Sequence, residues 1–364
     1  MKRIMARAVT LAAMVSLCLL LWFSIKPPVE AQAASAVTVN NYTDLVKYCG
    51  NKTIDYTITI GSNFKVTGVV FVYGNKTIKG NGKTLTCDTE VEMFHIHDYS
   101  SLTVENLTVD RTSCPTNHIF YVERRGNLVI NSGTYKAGPV DTLKGVSVVK
   151  AYGRCTVNGG DFSGSSGRFY GVSLHGPYSY TINGGNFHDC TTSVGLLQYQ
   201  KGDETSDALW ELEGFTQTLT INGGNFHDNQ NNGVTIGNTD VDQPGASTVI
   251  VNNGNFYNNG LNGISVVDDA AELKIKRINS YGNNVGLYVA KGKITGISTA
   301  ADAAYLNIYN NKTYNVYVTD GGTFSAGHGN IYSDGAQTQI GVYVRKSSFA
   351  TIKAGLNIKG HTTD

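Results

Sequence analysis

Excess charge of either sign is the first thing this chain lacks: 29 lysines and arginines stand against 28 aspartates and glutamates in 364 residues. So balanced a field gives no electrostatic reason to expect a nucleic acid or an anionic membrane as partner. Linkers are also missing. No proline-rich, serine-rich or like-charged run follows residue 40, so a single long domain is expected, working as a monomer. The cysteines lack the paired short spacings of a zinc site, and no metal ligand set is read from them. Proline numbers only 6, whereas glycine reaches 42 and tyrosine 21 in a chain rich in asparagine and threonine. That balance predicts many short strands broken by tight turns, with little helix.

The amino terminus differs from the rest. Lys2, Arg3 and Arg7 precede an apolar run from Ala8 to Ile25, and Ala31-Gln32-Ala33 offers a small-x-small cleavage site. Residues 1–33 read as a secretory signal peptide, residues 34–364 as the mature domain, secreted or held at the cell surface, with no membrane attachment after cleavage. Five cysteines then remain: Cys49, Cys87, Cys114, Cys155 and Cys190. Cys87 and Cys114 lie 27 residues apart, about one repeat, and are expected to bridge neighbouring rungs.

The repeat is the dominant signal. "TINGGNFHD" at 181–189 recurs at 220–228, within a set of imperfect copies: "LVINSGTY" from 128, "CTVNGGDF" from 155 and "VIVNNGNF" from 249. The asparagine after the strand falls at 131, 158, 183, 222 and 252, so a period near 25 is lengthened by insertions. A second strand accompanies each first one, as in "GVSV" from 145, "GVSL" from 171, "GVTI" from 233 and "GISV" from 263. Strands of four or five residues cannot stand alone. They must stack on the next repeat, about 4.8 Å away, which predicts a coil of parallel sheets. Asn229, Asn259 and Asn284 are expected to form a ladder at one turn, and "NYTDLVKYC" at 41–49 a short amphipathic helix capping the first rungs.

In "NKTIKGNGKTL" from 75 and "FHIHDYSSLTVENLTVD" from 94, the chain resembles the pectate lyase-like superfamily of right-handed parallel β-helix proteins. The resemblance implies an all-β solenoid and a polysaccharide as substrate or ligand. It leaves the chemistry open, since that superfamily includes lyases, hydrolases, esterases, tailspikes and adhesins.

Candidate chemistry is expected where the second strands end, because nearly every rung finishes there with an ionisable residue and the insertions "KGDETSDALWELEG" and "NTDVDQPGA" leave from the same edge. Two constellations compete. Asp240, in "NTD", and Asp268 and Asp269, in "VDD", come from consecutive rungs. Close carboxylates suit a calcium site or a hydrolytic pair. Their pattern is similar to that of the polygalacturonase family, which would make Asp240, Asp268 and Asp269 catalytic and His328, in "GHG", supporting; here, however, "NTD" and "DD" follow their strands where that family has them before. The mixed alternative comprises His97, Glu123, Arg124, Arg125, Lys150 and His175 on four consecutive rungs. A polyuronate lyase needs cations or Ca2+ to neutralise the C6 carboxylate and a base to take the C5 proton, for which Lys150 or Arg125 qualifies. Tyr199, Trp210 and Phe215, in or beside the first insertion, are candidates for stacking on sugar rings. His188 and His227, with Tyr257, are expected to stack as a column, which repeat duplication explains more simply than a metal site. The competing class is a non-catalytic adhesin or glycan-binding rod.

Overall fold

The computed structural model describes residues 34–114, 117–138, 146–197, 216–237, 246–296, 306–335 and 340–362, with the side chains of 165–169 excepted. Asp240, Tyr199, Trp210 and Phe215, the proposed signal peptide, the whole of the first insertion and all of the second but Ala246 lie outside them.

Residues 35–364 form one compact unit. It is an all-β parallel solenoid. Each coil visits three ladders in turn, and every strand pairs in parallel with its counterpart one coil away. The first ladder is a sheet of thirteen strands running from Ser35–Val39 to Phe349–Ile352. The second and third belong to a sheet of twenty-one strands, joined where Asp161–Leu174 and Asn186–Leu196 run through the corner between them. Period-two alternation decides which side chains face in. Ile78, Val104, Ile130 and Val157 stack in register along the first ladder and are fully buried. Phe162, Phe187, Phe226 and Phe256 stack along the second, with centroids 4.7–5.0 Å apart and planes within 9°.

The expected cap is present as the helix Tyr42–Cys49. The Asn41 side chain accepts from the Asp44 N–H at 2.9 Å, satisfying one of the amides a helix start leaves unpaired. Leu45 and Cys49 point into the core.

The duplicated nonapeptide is a coil-building unit. Its first asparagine, Asn183 or Asn222, belongs to an exposed ladder in which each Nδ2 donates to the Oδ1 one rung away at 2.7 Å. Gly185 and Gly224 hold φ +119, and a Cβ there would lie 3.0 and 3.2 Å from the carbonyl oxygen of the glycine one rung before. Phe187 and Phe226 face in, and His188 and His227 stack outward at 5.3 Å, with Tyr257 continuing the column at 4.6 Å. Asp189 and Asp228 take the left-handed corner at φ +52.

A second asparagine ladder is buried. It runs Asn229, Asn259, Asn283, Asn311, Asn315, with amide contacts of 2.7–3.0 Å. The expected member Asn284 is replaced by Asn283. Gly282 occupies the left-handed corner held by Asn258 one rung earlier, so the ladder position is the residue directly after it. Asn259 bridges both neighbours and also donates to the Phe226 carbonyl at 3.1 Å. Asn259→Ala strands those groups in a dry corner, and a loss of about 2 kcal/mol is expected by urea unfolding; an unchanged midpoint would mean the neighbouring amides re-pair without it.

The bridge expected between Cys87 and Cys114 does not form: all five described cysteines are buried thiols. Cys114 Sγ instead donates to the Thr89 carbonyl at 2.8 Å, and Cys87 Sγ lies 3.2 Å from Thr89 Oγ1. One residue, Thr89, thus occupies both sulfurs, Cys114 through its carbonyl and Cys87 through its hydroxyl.

Candidate functional site

The third ladder carries the site. Its opening strands are Val70–Val72, Phe94–Ile96, Phe120–Val122 and Val149–Ala151, followed by the end of Asp161–Leu174. Val72, Ile96, Val122, Ala151 and Leu174 align in the core. Outward side chains therefore fall in two parallel columns. One contains Phe71, His95, Tyr121, Lys150 and Ser173; the other, just past the strand ends, contains Tyr73, His97, Glu123, Tyr152 and His175. Five rungs at about 4.8 Å make a strip roughly 19 Å long.

At its upper end, Glu123 organises two histidines. His95 Nε2 lies 2.7 Å and His97 Nδ1 3.0 Å from Glu123 Oε1, while Glu123 Oε2 accepts from the Asp98 N–H at 2.7 Å. His95 Nδ1 contacts Glu92 Oε1 at 2.9 Å. Tyr73 stacks on His97 at 4.2 Å with planes 15° apart, and Phe71 contacts both imidazoles at 5.4 Å. Burial opposes a charge on His95, but hydrogen bonds to Glu123 and Glu92 outweigh it and raise its pKa to about 9. Burial likewise opposes the Glu123 carboxylate, and the His95 hydrogen bond, the Asp98 N–H and the nearby imidazoles bring its pKa down to about 2. His95 and Glu123 are therefore an ion pair at neutral pH.

The lower end behaves oppositely. Burial and the neighbouring Lys150 ammonium push His175 down to about 3, and its Nε2 pairs with Ser173 Oγ at 2.6 Å. Lys150 Nζ sits 5.2 Å from the centre of the Tyr152 ring, which stacks on His175 at 5.1 Å. The strip thus offers an ammonium beside a neutral imidazole, with the buried Tyr152 ring packed against both.

The sequence-derived candidates divide accordingly. His97, Glu123, Lys150 and His175 share the strip. Lys150 does not follow its strand as expected but lies at its centre. The "GVSV" at 145–148 is one register of a longer apolar run, and pairing with Phe120–Val122 selects Val149–Ala151 instead. Arg124 and Arg125 lie on the turn after Glu123. Arg125 is engaged there: its amide donates to Asp98 Oδ1 at 3.1 Å, its Nη1 is 3.8 Å from Asp98 Oδ2, and its guanidinium covers Tyr99 at 5.1 Å. Asp268 is buried with Oδ1 accepting from the Ala270 N–H at 3.0 Å, and Asp269 beside it is exposed. Both follow Asn262–Val266, four rungs beyond Lys150. His328 follows Thr323–Ala326 of the first ladder, so a strand length separates its corner from that of Asp268. The structure does not bring those two together.

Reasoning from strand ends alone passed over Glu92, His95, Tyr121 and Tyr152. The signal was present as alternation: "VFVY", "FHIH", "FYVE", "VKAY" and "VSLH" align as in, out, in, out. Among the described residues, His95, His97 and Glu123 are the cluster with metal-ligand spacing. His188 instead pairs with Asp189 at 2.7 Å and Asp161 at 3.2 Å, and His227 with Asp228 at 2.6 Å.

Two solved structures are similar to this coil. The A-module of the Azotobacter vinelandii mannuronan C-5 epimerase AlgE6 aligns with 11% identity and a TM-score of 0.41, covering 90% of this chain and 99% of that one. The SRRP of L. reuters 100-23 aligns with 13% identity and a TM-score of 0.43, covering 92% and 100%. At these scores neither bears on chemistry. No protein-family model matches the chain, and no curated protein does. Among the described residues no helix is long and apolar enough to cross a membrane.

Proposed function

We propose that the protein is exported, with residues 1–33 as its secretory signal, and that it engages a uronate-containing polysaccharide along the outward strip of the third ladder. One observation carries this reading: across five consecutive rungs Phe71, Tyr121, Lys150 and His175 stand in adjoining columns and reach solvent, while Tyr152 and Ser173 between them are buried. A surface of this kind suits the C–H faces and acidic groups of such a glycan. The chemistry it supports best is β-elimination. The Lys150 ammonium pairs with the C6 carboxylate and lowers the cost of carbanion character at C5. The C5 proton passes to a base as the C4–O bond breaks and O4 leaves with a proton from water, giving a C4–C5 double bond. His175 adjoins this position but, with its pKa at about 3, is a weak base for that role.

A non-catalytic glycan-binding role is the second reading. It is favoured by the same outward column further along, where Tyr288, Tyr317 and Tyr343 succeed one another in register, with Tyr314 stacked on Tyr343 at 5.0 Å.

Incubation of the purified protein with pectic, alginate and neutral polysaccharides distinguishes the two. Reducing ends that appear together with unsaturated-uronate absorbance, and fall at least about 100-fold in Lys150→Ala, establish elimination; a tenfold loss is about 1.4 kcal/mol of barrier. Retention of an acidic glycan without products, weakened in Lys150→Ala, supports the binding reading. Neither products nor retention from the folded protein would end both.

A further inference from the structure

We propose that His95, His97 and Glu123 form a binding site for one divalent first-row transition-metal ion. Residues i and i+2 of a strand share a face, so His95 and the residue just past its strand end, His97, project together, and the register places Glu123 opposite His97 one rung on. Glu123 Oε1 lies 2.7 Å from His95 Nε2 and 3.0 Å from His97 Nδ1, and the three ligand atoms lie within 4.8 Å of one another. For metal–ligand bonds of about 2.1 Å, neighbouring ligand atoms stand about 3.0 Å apart in an octahedron and about 3.4 Å apart in a tetrahedron. The triangle therefore closes around an ion with small side-chain shifts, the ion taking the place of the proton between His95 Nε2 and Glu123 Oε1.

The surroundings hold these ligands in place. Glu92 Oε1 accepts from the far nitrogen of His95, the carboxylate–histidine arrangement that orients a ligating imidazole. The Asp98 N–H anchors Glu123 Oε2 and leaves Oε1 to the histidines. The Tyr73 ring lies against His97 and fixes its plane, and His97 Nε2 is buried without a hydrogen-bond partner, so Nδ1 is the nitrogen that works. The three ligand side chains retain 16–29% exposure, which leaves further coordination positions facing the outward strip. Two imidazole nitrogens and one carboxylate oxygen select a transition ion; calcium prefers an all-oxygen set.

The site is tested without any glycan, so its failure is separate from failure of the polysaccharide reading. Calorimetric titration of chelator-treated protein with Zn2+ is expected to show saturable binding of one ion per chain that excess Ca2+ does not displace. His97→Gln and Glu123→Gln are each expected to weaken it more than about 100-fold, and Glu92→Gln about 10–100-fold. Joint replacement of His188 and His227 by Gln should leave it unchanged. Absence of saturable Zn2+ binding, or binding unaltered in ligand variants that keep the wild-type circular dichroism, overturns the proposal. Should the variants fail to fold, Co2+ titration of the wild-type protein followed by imidazole resonances decides the matter. His95 and His97 must shift first, and a first response from His188, His227 or His361 overturns it.

Discussion

Replacing Arg111 with methionine is expected to destabilise the protein by about 3–5 kcal/mol, because several buried carbonyls lose their donor at about 1–3 kcal/mol each. Arg111 is 1% exposed. Its guanidinium donates to the carbonyls of Val91 at 2.8 Å and Thr89 at 3.1 Å, to Cys114 Sγ at 3.0 Å, and to the His118 carbonyl. It therefore ties the backbone on either side of the Phe94–Ile96 strand, including the residue immediately before Glu92. Methionine fills similar volume but leaves those carbonyls in a dry interior with nothing to accept from. Lysine should not rescue the loss, since one ammonium cannot reproduce the planar fork. Urea unfolding reads the stability, and the His95 imidazole titration reads the site. With Glu92 loosened, the His95 pKa is expected to fall from about 9 towards the ordinary histidine value. A variant with unaltered midpoint and titration would show that the 89–93 segment is held by other contacts.

The second large effect is loss of stability in mild acid, centred on His118. This residue is 8% exposed, and its Nδ1 accepts from the Ser147 N–H at 3.2 Å, a bond only the neutral ring can make. Burial, with the Lys150 charge next, pushes its pKa down to about 3; Arg111 and His175 add to the fall and Glu92 opposes it. A depressed histidine pKa means that the unfolded chain binds the proton first as pH drops below 6.5. Each unit below that value costs about 1.4 kcal/mol, so roughly 3 kcal/mol is lost by about pH 4. His175 acts in the same sense but is only half-buried, and solvent screens its share. Glu123, depressed to about 2, contributes further loss only below its unfolded value of 4.5. On the alkaline side the sign reverses. The raised His95 contributes stability that is complete below 6.5 and disappears as pH climbs through about 9. His118→Asn, whose amide oxygen can replace Nδ1 as acceptor, should flatten the limb between pH 6.5 and about 4. A limb of undiminished slope would assign the acid loss to other groups.

The sequence by itself determined the coil. Its period, the in–out alternation of four-residue strands and the asparagine corners all follow from local geometry repeated often enough to be read. A capping helix at residues 41–49 was legible for the same reason: an asparagine N-cap and two apolar positions four apart. Tertiary structure alone decided register. "GVSVVKAY" buries apolar residues in either of two frames, since Val146 and Val148 are as buried as Val149 and Ala151. Only the neighbouring strand Phe120–Val122 selects the frame that turns Lys150 outward into the strip. The same holds for His95 and Glu123, 28 residues apart in sequence and 2.7 Å apart in space. A repeat announces that rungs stack, but loops of unequal length between them hide which residues meet. That meeting is set by the hydrogen-bonded ladder, one coil at a time.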